Sequence, residues 1–473
     1  MIETDYLVVG AGAAGMAFTD ALIADSDADV VMIDRRHAPG GHWNDAYPFV
    51  RVHQPAAYYG VNSRRLGNDT IDETGENAGM YERATAAEIC DYFQRVLDEQ
   101  LRPSGQVRFF GMSDYQGDLD EPPTSSEGAE HQFVSRLTGA TTTVRVRKRV
   151  VDARYLEPSI PSNHTPTFDV DPDATFIPVN GLAKLAEAPS GYTIVGGGKT
   201  SIDACLWLLD NGVDPNRIRW IRPRDSWLLD RLAYQPLQLV TNLIEALSLA
   251  AEASALADNT ADLFARLEAT GDLHRIDPSV EPTMFHAATV NARELELLRS
   301  IDHVVRLGHI KHIGADAISM ENGEIPTDRR QVHVDCSAIG LRRSVARPVF
   351  AERRITPQAI RTVTPPFNAA LAGYVEATRD DEREKTRLCP PNRYPNRAVD
   401  WMPNMRMTLQ VTGMWNEEPD LAAWLERSRT NITRGFLDYA AEPRMQAAIT
   451  RLITYSEPAI ENLAKLEAAA VAS

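Results

Sequence analysis

A chain of 473 residues is long enough for two or three domains, and 43% hydrophobic with 24% charged residues is the composition of a globular chain with large cores. Its 28 glycines and 29 prolines are ordinary, which excludes collagen-like and low-complexity chains. The net charge of −17, with no long basic stripe to offset it, argues against nucleic acid as a partner.

The first 35 residues read as a βαβ unit. Tyr6–Val9 is a continuous apolar run, as a parallel strand buried on both faces requires. A glycine-rich turn follows, then a helix through Met16, Phe18 and Leu22, then a second apolar run at Val30–Ile33. Acidic residues at the N-terminus, where a secretory signal needs positive charge, argue against such a signal. With no run of about 18 uncharged apolar residues, the expectation is a cytoplasmic protein without a membrane span.

The turn is Gly10-Ala-Gly12-Ala-Ala14-Gly15. Its first glycine permits the tight turn, its second lets amides approach a pyrophosphate, and its third lets helix and strand pack closely. The helix N-terminus then offers unsatisfied N–H groups and a positive dipole end to the phosphates. Asp34, 24 residues after Gly10 at the end of the second run, is placed to hydrogen-bond a ribose hydroxyl.

Further along, Thr85-x-x-Glu88 forms a capping box before a helical face of Ile89, Tyr92, Phe93, Val96 and Leu97. Residues 116–130 read as a polar loop, and Phe133–Gly139 and 141–153 as short antiparallel strands. A second βαβ signature begins at Tyr192–Val195, with a helix at Ser201–Leu209 and a strand at Ile218–Ile221. Residues 237–300 read as mostly helical, strands return from Val304, and 420–438 and 442–469 are amphipathic helical patterns. His309 and His312 fall on opposite faces of a strand, so no metal site is expected there.

The second turn is Gly196-x-Gly198-x-x-Ser201, a dinucleotide fingerprint with serine in place of the third glycine. Gly198-Lys199-Thr200 is not a P-loop, because Thr193 stands where that motif needs glycine. After the next strand come Arg222 and Arg224, where an NAD site offers an acid. Guanidinium groups there suit a 2′-phosphate, which favours NADPH over NADH. Lys199 is expected either near the pyrophosphate or in solvent.

Arg35-Arg36 is followed by Gly40-Gly41-His42-Trp43. This stretch resembles the GG-x-W segment of flavin-containing and Baeyer–Villiger (class B) monooxygenases. Residues 48–63 and 364–381 are similar to actinobacterial proteins described as FAD/NAD(P)-dependent oxidoreductases. The resemblance, over about 1–230 and 300–375, implies an α/β fold of two Rossmann-like units, with the FAD-binding unit interrupted by the NADPH-binding one. The corresponding boundaries are 1–185, 186–325 and 326–473, the last carrying the helical tail. Gly10, Gly12, Ala14 and Gly15 would hold the FAD pyrophosphate, Asp34 its ribose, and Arg35, Gly41, His42 and Trp43 the rest. Gly196, Gly198, Lys199, Thr200, Ser201, Arg222 and Arg224 would hold NADPH.

His53 and Gln54 follow GG-x-W at a spacing that would bring them to the reacting ring, with Tyr58, Tyr59 and Asn62 lining the same space; His53, Gln54 and Asn62 are the catalytic candidates. Phe367 and Asn368, at the start of an expected helix, would aim its positive end at the flavin. The resemblance implies hydride transfer from NADPH to FAD, then reaction with O2 to a C4a-(hydro)peroxide that gives one oxygen atom to a small organic substrate. Two departures leave a dehydrogenase or reductase as the alternative. The FxGxxxHxxxW fingerprint is replaced by residues 176–191, and the two domain-crossing stretches read Ala153-Arg154-Tyr155 and Ala338-Ile339-Gly340. Cys90, Cys205, Cys336 and Cys389 are widely spaced, with none before Cys90 to form the redox pair of a disulfide reductase. The helical tail leaves a homodimer open.

Overall fold

Apolar runs without alternation become strands covered on both faces, and the first two do so here. In the computed structural model, which describes residues 1–119, 129–342, 344–361 and 364–472, β1 (Ile2–Val9) leads through α1 (Ala13–Ala24) to β2 (Val30–Ile33), which is buried throughout. The sheet runs Val107–Phe110, β2, β1, Thr141–Asp152, Glu130–Ser135, Ser113–Tyr115. Its first four strands are parallel and the last two antiparallel. Arg354–Ile355 joins the edge of Thr141–Asp152 in parallel, so the chain returns to this sheet after leaving it for the second unit. The capping box forms as read, with the Thr85 side chain accepting from the Glu88 N–H and Glu88 accepting from the Thr85 N–H. Of the polar loop expected at 116–130, residues 120–128 lie outside the described residues.

The second unit is a five-stranded parallel sheet ordered Val304–Val305, β4 (Ile218–Ile221), β3 (Gly191–Val195), Gln331–Asp335, Thr175–Pro178, with α2 (Lys199–Asp210) after β3. Two of its strands lie outside the expected 186–325. Thr175–Pro178 comes from the segment that replaces the monooxygenase fingerprint, and Gln331–Asp335 carries the chain back toward the first sheet. Pairing partners are fixed by main-chain hydrogen bonds between distant segments, which local periodicity does not report.

The segment expected to be mostly helical holds helices at α3 (Val240–Leu256), Thr260–Ala269 and Ala292–Arg299, but also strands. Leu273–His274 and Met284–Val290 flank Ser226–Asp230 in a separate three-stranded sheet. Further on, α4 (Pro365–Thr378) crosses α1, and Gly373 makes that possible because a β-carbon there would run into the Phe18 carbonyl. Of the C-terminal helices α5 (Trp401–Asn416) and α6 (Pro443–Ala472), α6 closes back on α3 and α5 packs on α6. Trp227 stacks on Phe264 at 5.4 Å and meets Trp401 and Leu463 in the shared core. Leu237–Leu256 is long and apolar enough to cross a membrane by composition, with mean hydropathy 1.3, but half of it is buried inside this helical compartment.

Candidate active site

At the end of β1 the chain must turn sharply under a helix. Gly10 does so at φ +108°, and a β-carbon on Gly15 would overlap the Gly10 carbonyl, which is the close packing that only glycine allows. Gly41, at φ +58°, lies against Gly12, where a β-carbon would come within 2.9 Å of the Gly12 Cα. The first turn of α1 has Gly12 as its N-cap and no side-chain cap. Gly12, Ala13 and Ala14 line a cleft of about 300 Å³. Asp34 lines it too, its Oδ2 accepting from the Ala11 N–H and its Oδ1 from the Arg36 N–H, both at 2.7 Å. Those bonds fix the carboxylate and leave lone pairs for hydroxyl donors.

His42 and Trp43 line the same cleft, with ring centroids 4.9 Å apart. Burial, then the charge of Arg36, lowers His42 to about 4, so its ring is neutral at neutral pH. Arg35 is not on the wall. It pairs with Glu157, which is, while Arg36 lines the cleft and pairs with Asp45 at 2.7 Å. Phe367 and Asn368 also differ from expectation. The helix begins at Pro365, and Pro365 and Pro366 form the wall. Phe367 points into the core under the Arg361 guanidinium, and the Asn368 Oδ1 accepts from the Arg361 N–H at 3.2 Å.

Farther in stand His53, Gln54 and Tyr59. Burial, with Lys199, Arg231 and Arg83 nearby, pushes His53 well below the usual histidine range and keeps it neutral. Burial raises Tyr59 to about 12, and its hydroxyl is hydrogen-bonded by the backbone of Gln54 and His53. Asn62 and Tyr58 do not line this space. The Asn62 Oδ1 accepts from Ser428 at 3.0 Å, and the Tyr58 hydroxyl donates to the Ile432 carbonyl at 3.1 Å, so both fasten the loop after 427.

The second loop repeats the first in outline. Gly196 turns at φ +131° with the Cys336 carbonyl where a β-carbon would go, Gly198 faces open space, and the Ser201 hydroxyl donates to the Gly198 carbonyl at 2.6 Å. Lys199 takes neither expected position. It is half-buried and paired with Asp203, which also accepts from the Tyr47 hydroxyl at 2.6 Å, and Thr200 hydrogen-bonds Tyr47. Phe49 stacks on Trp207 at 4.6 Å, so residues 47–53 fasten the two units together. Arg222 is 1% exposed, sits 4.5 Å over the Trp220 ring and pairs with Asp225. Arg224 is the exposed one, at the mouth of an open groove with Asn259 and Arg397.

Several wall residues have no signal near the fingerprints. Ala153 and Arg154 lie at the first crossing stretch, Leu341 just after the second, and Tyr394 and His286 come from distant segments. The departures from the crossing pattern were the available clue to the first three. His286 and Ala287 arrive through a bulge: Trp227–Leu229 of one strand opposes Phe285–Thr289 of the other, and Ala287 sits at φ +52°. Arg154 Nε and the Tyr394 hydroxyl are buried without a hydrogen-bond partner among the described residues, so the cleft offers polar groups as well as the glycine-rich turn.

A glycine-rich turn on an interrupted first sheet, and a second one on a Rossmann-like unit inserted into it, give the chain two units of the dinucleotide-binding type. Residues 8–63 match the family described as NAD(P)-binding Rossmann-like domain. Uncharacterized protein Rv2000 of Mycobacterium tuberculosis and uncharacterized protein Mb2023 of Mycobacterium bovis are each 44% identical over 475 residues, covering 100% of this chain and 86% of theirs. The chain belongs to the family of these mycobacterial proteins. Among solved structures, it is similar to polycyclic ketone monooxygenase from Thermothelomyces thermophila, with 10% identity, TM-score 0.52, and 96% of this chain and 89% of that one covered. It is also similar to ε-caprolactone-bound cyclohexanone monooxygenase in the Loose conformation, with 12% identity, TM-score 0.50, and 94% and 99% covered. At such identities the likeness is one of fold.

Proposed function

We propose that this protein is an NADPH- and FAD-dependent monooxygenase of a small organic substrate. One observation carries the reading: Gln54 and Ala287 line both the cleft that starts at the first phosphate loop and a separate apolar cavity. The cleft and an apolar compartment thus meet at these two residues.

Bound FAD would supply the hydride acceptor and the oxygen chemistry. The chain's own part is to bind and to exclude water. Gly10, Gly12, Ala14 and Gly15 hold the pyrophosphate on the α1 N-terminus, and Asp34 accepts from the ribose hydroxyls. Gln54 offers an amide donor at the junction, and neutral His53 adds no charge beside it. Tyr59, Tyr394 and the apolar wall exclude water, which such chemistry requires. Gly196, Gly198 and Ser201 cradle the second dinucleotide, and Arg224 is the guanidinium free to meet a 2′-phosphate.

The purified protein is expected to be yellow, to be reduced by NADPH in preference to NADH, and to take up O2 faster with substrate. A flavin reduced by NADPH whose oxygen uptake no substrate alters, with electrons passing to another acceptor, selects the reductase instead.

A further inference from the structure

The apolar cavity has a polar end that the cofactor chemistry does not use. It encloses about 70 Å³ among β-strand, α3 and α5 residues, chiefly Leu229, Leu247, Phe285, Trp401 and Met405. A cavity of roughly 150 Å³ holds benzene, so this one holds about three or four heavy atoms. At its wall Asp272 is 5% exposed, and its Oδ1 has no hydrogen-bond partner among the described residues. The carboxyl is hydrogen-bonded with the Tyr234 side chain. Asp230, a second acid, lies close enough to act on it, and among the described residues neither carboxyl has an ion-pair partner. The neighbouring Arg231 is already taken by Glu294, with its Nη1 donating at 3.0 Å.

A carboxylate in an apolar wall without a counter-charge is costly, so the group either takes a proton or is completed by a cation. Burial and Asp230 push Asp272 up to about 7, and an incoming cation is what would hold it ionised. Tyr234, Phe285 and Trp401 line the same small space, and aromatic rings around a carboxyl suit an ammonium group through cation–π attraction. The Thr364 hydroxyl, also on the wall and without a partner among the described residues, can accept a second N–H. A neutral alcohol would leave the acidic end uncompensated.

We propose that this cavity anchors a small alkylammonium group on Asp272, and that the rest of the substrate passes Gln54 and Ala287 to present its oxidisable end in the cleft. The inference rests on the proposed function for what happens in the cleft, but the anchor itself is a binding site and is tested as one. The ammonium end is held, not oxidised.

The test uses the FAD-loaded protein at pH 8 with n-propylammonium and n-propanol as probes of equal size, read by thermal shift and by perturbation of the flavin absorbance. Propylammonium is expected to bind about tenfold or more tightly than propanol. In Asp272→Asn the two probes should bind within about twofold of each other, and in Trp401→Leu the preference should shrink severalfold. Equal binding to the natural protein, or an unchanged preference in Asp272→Asn, overturns the anchor. If Asp272→Asn does not fold, the natural protein and Trp401→Leu decide. Reduction by NADPH is followed in the same samples. Reduction without ammonium preference removes the anchor alone, whereas preference without reduction removes the proposed function and leaves the anchor standing.

Discussion

At Gly15 a methyl group would overlap the Gly10 carbonyl, and at Gly41 it would press on the Gly12 backbone. Gly15→Ala and Gly41→Ala should therefore each lower retained FAD about tenfold or more, read as flavin absorbance per mole of purified protein. His42 gives a pH prediction. Its unfolded form takes a proton near 6.5 and its native form only near 4, so between those values the unfolded chain holds the extra proton. The part of the native stability that rests on this ring is then full above pH 6.5 and lost as pH falls toward 4. The melting temperature of the apoprotein should drop from pH 7 to 5, and His42→Gln should drop less. At this scale the glycines and Asp34 were legible because each meets a local steric or hydrogen-bonding demand. Lys199 and Arg222 take partners close in sequence, Asp203 one helical turn on and Trp220 and Asp225 within three residues, and a glycine fingerprint leaves those partners out of account.

Elements show a similar division. The capping box at Thr85–Glu88 and the two phosphate-loop units depend on neighbours in sequence, and they were readable. The bulge opposite Trp227–Leu229 depends on the register of a partner strand, so nothing in the 284–290 run announced that it would deliver His286 and Ala287 to the cleft. Ala287 holds a left-handed backbone that a β-branched residue resists. Ala287→Val should cost about 1–3 kcal/mol and lower the melting temperature by several degrees, while Ala287→Gly should not. Comparable losses in both variants would mean that the bulge is not under steric control.

Over the whole molecule, the interrupted order of the two units was visible in the spacing of two fingerprints. The compartment over the cavity was not, since α3 packs on α6 and shares the cavity wall with α5 from sequence positions about 150–200 residues apart, a distance that no periodic pattern bridges. The acidic surface matters at the second site, where the exposed Arg224 supplies local positive charge on a chain of net charge −17. Arg224→Ala should cut the ratio of kcat/KM for NADPH over NADH by about tenfold, leaving NADH nearly unaffected. An unchanged ratio would move 2′-phosphate recognition elsewhere.

The most direct test of the monooxygenase reading supplies the FAD-loaded protein with NADPH, ¹⁸O₂ and a panel of small alkylamines bearing a sulfide or ketone at the far end, and follows product mass. The account predicts one labelled oxygen atom in the product for each NADPH consumed under full coupling. NADPH oxidation with label only in hydrogen peroxide or water, across the whole panel, would contradict it.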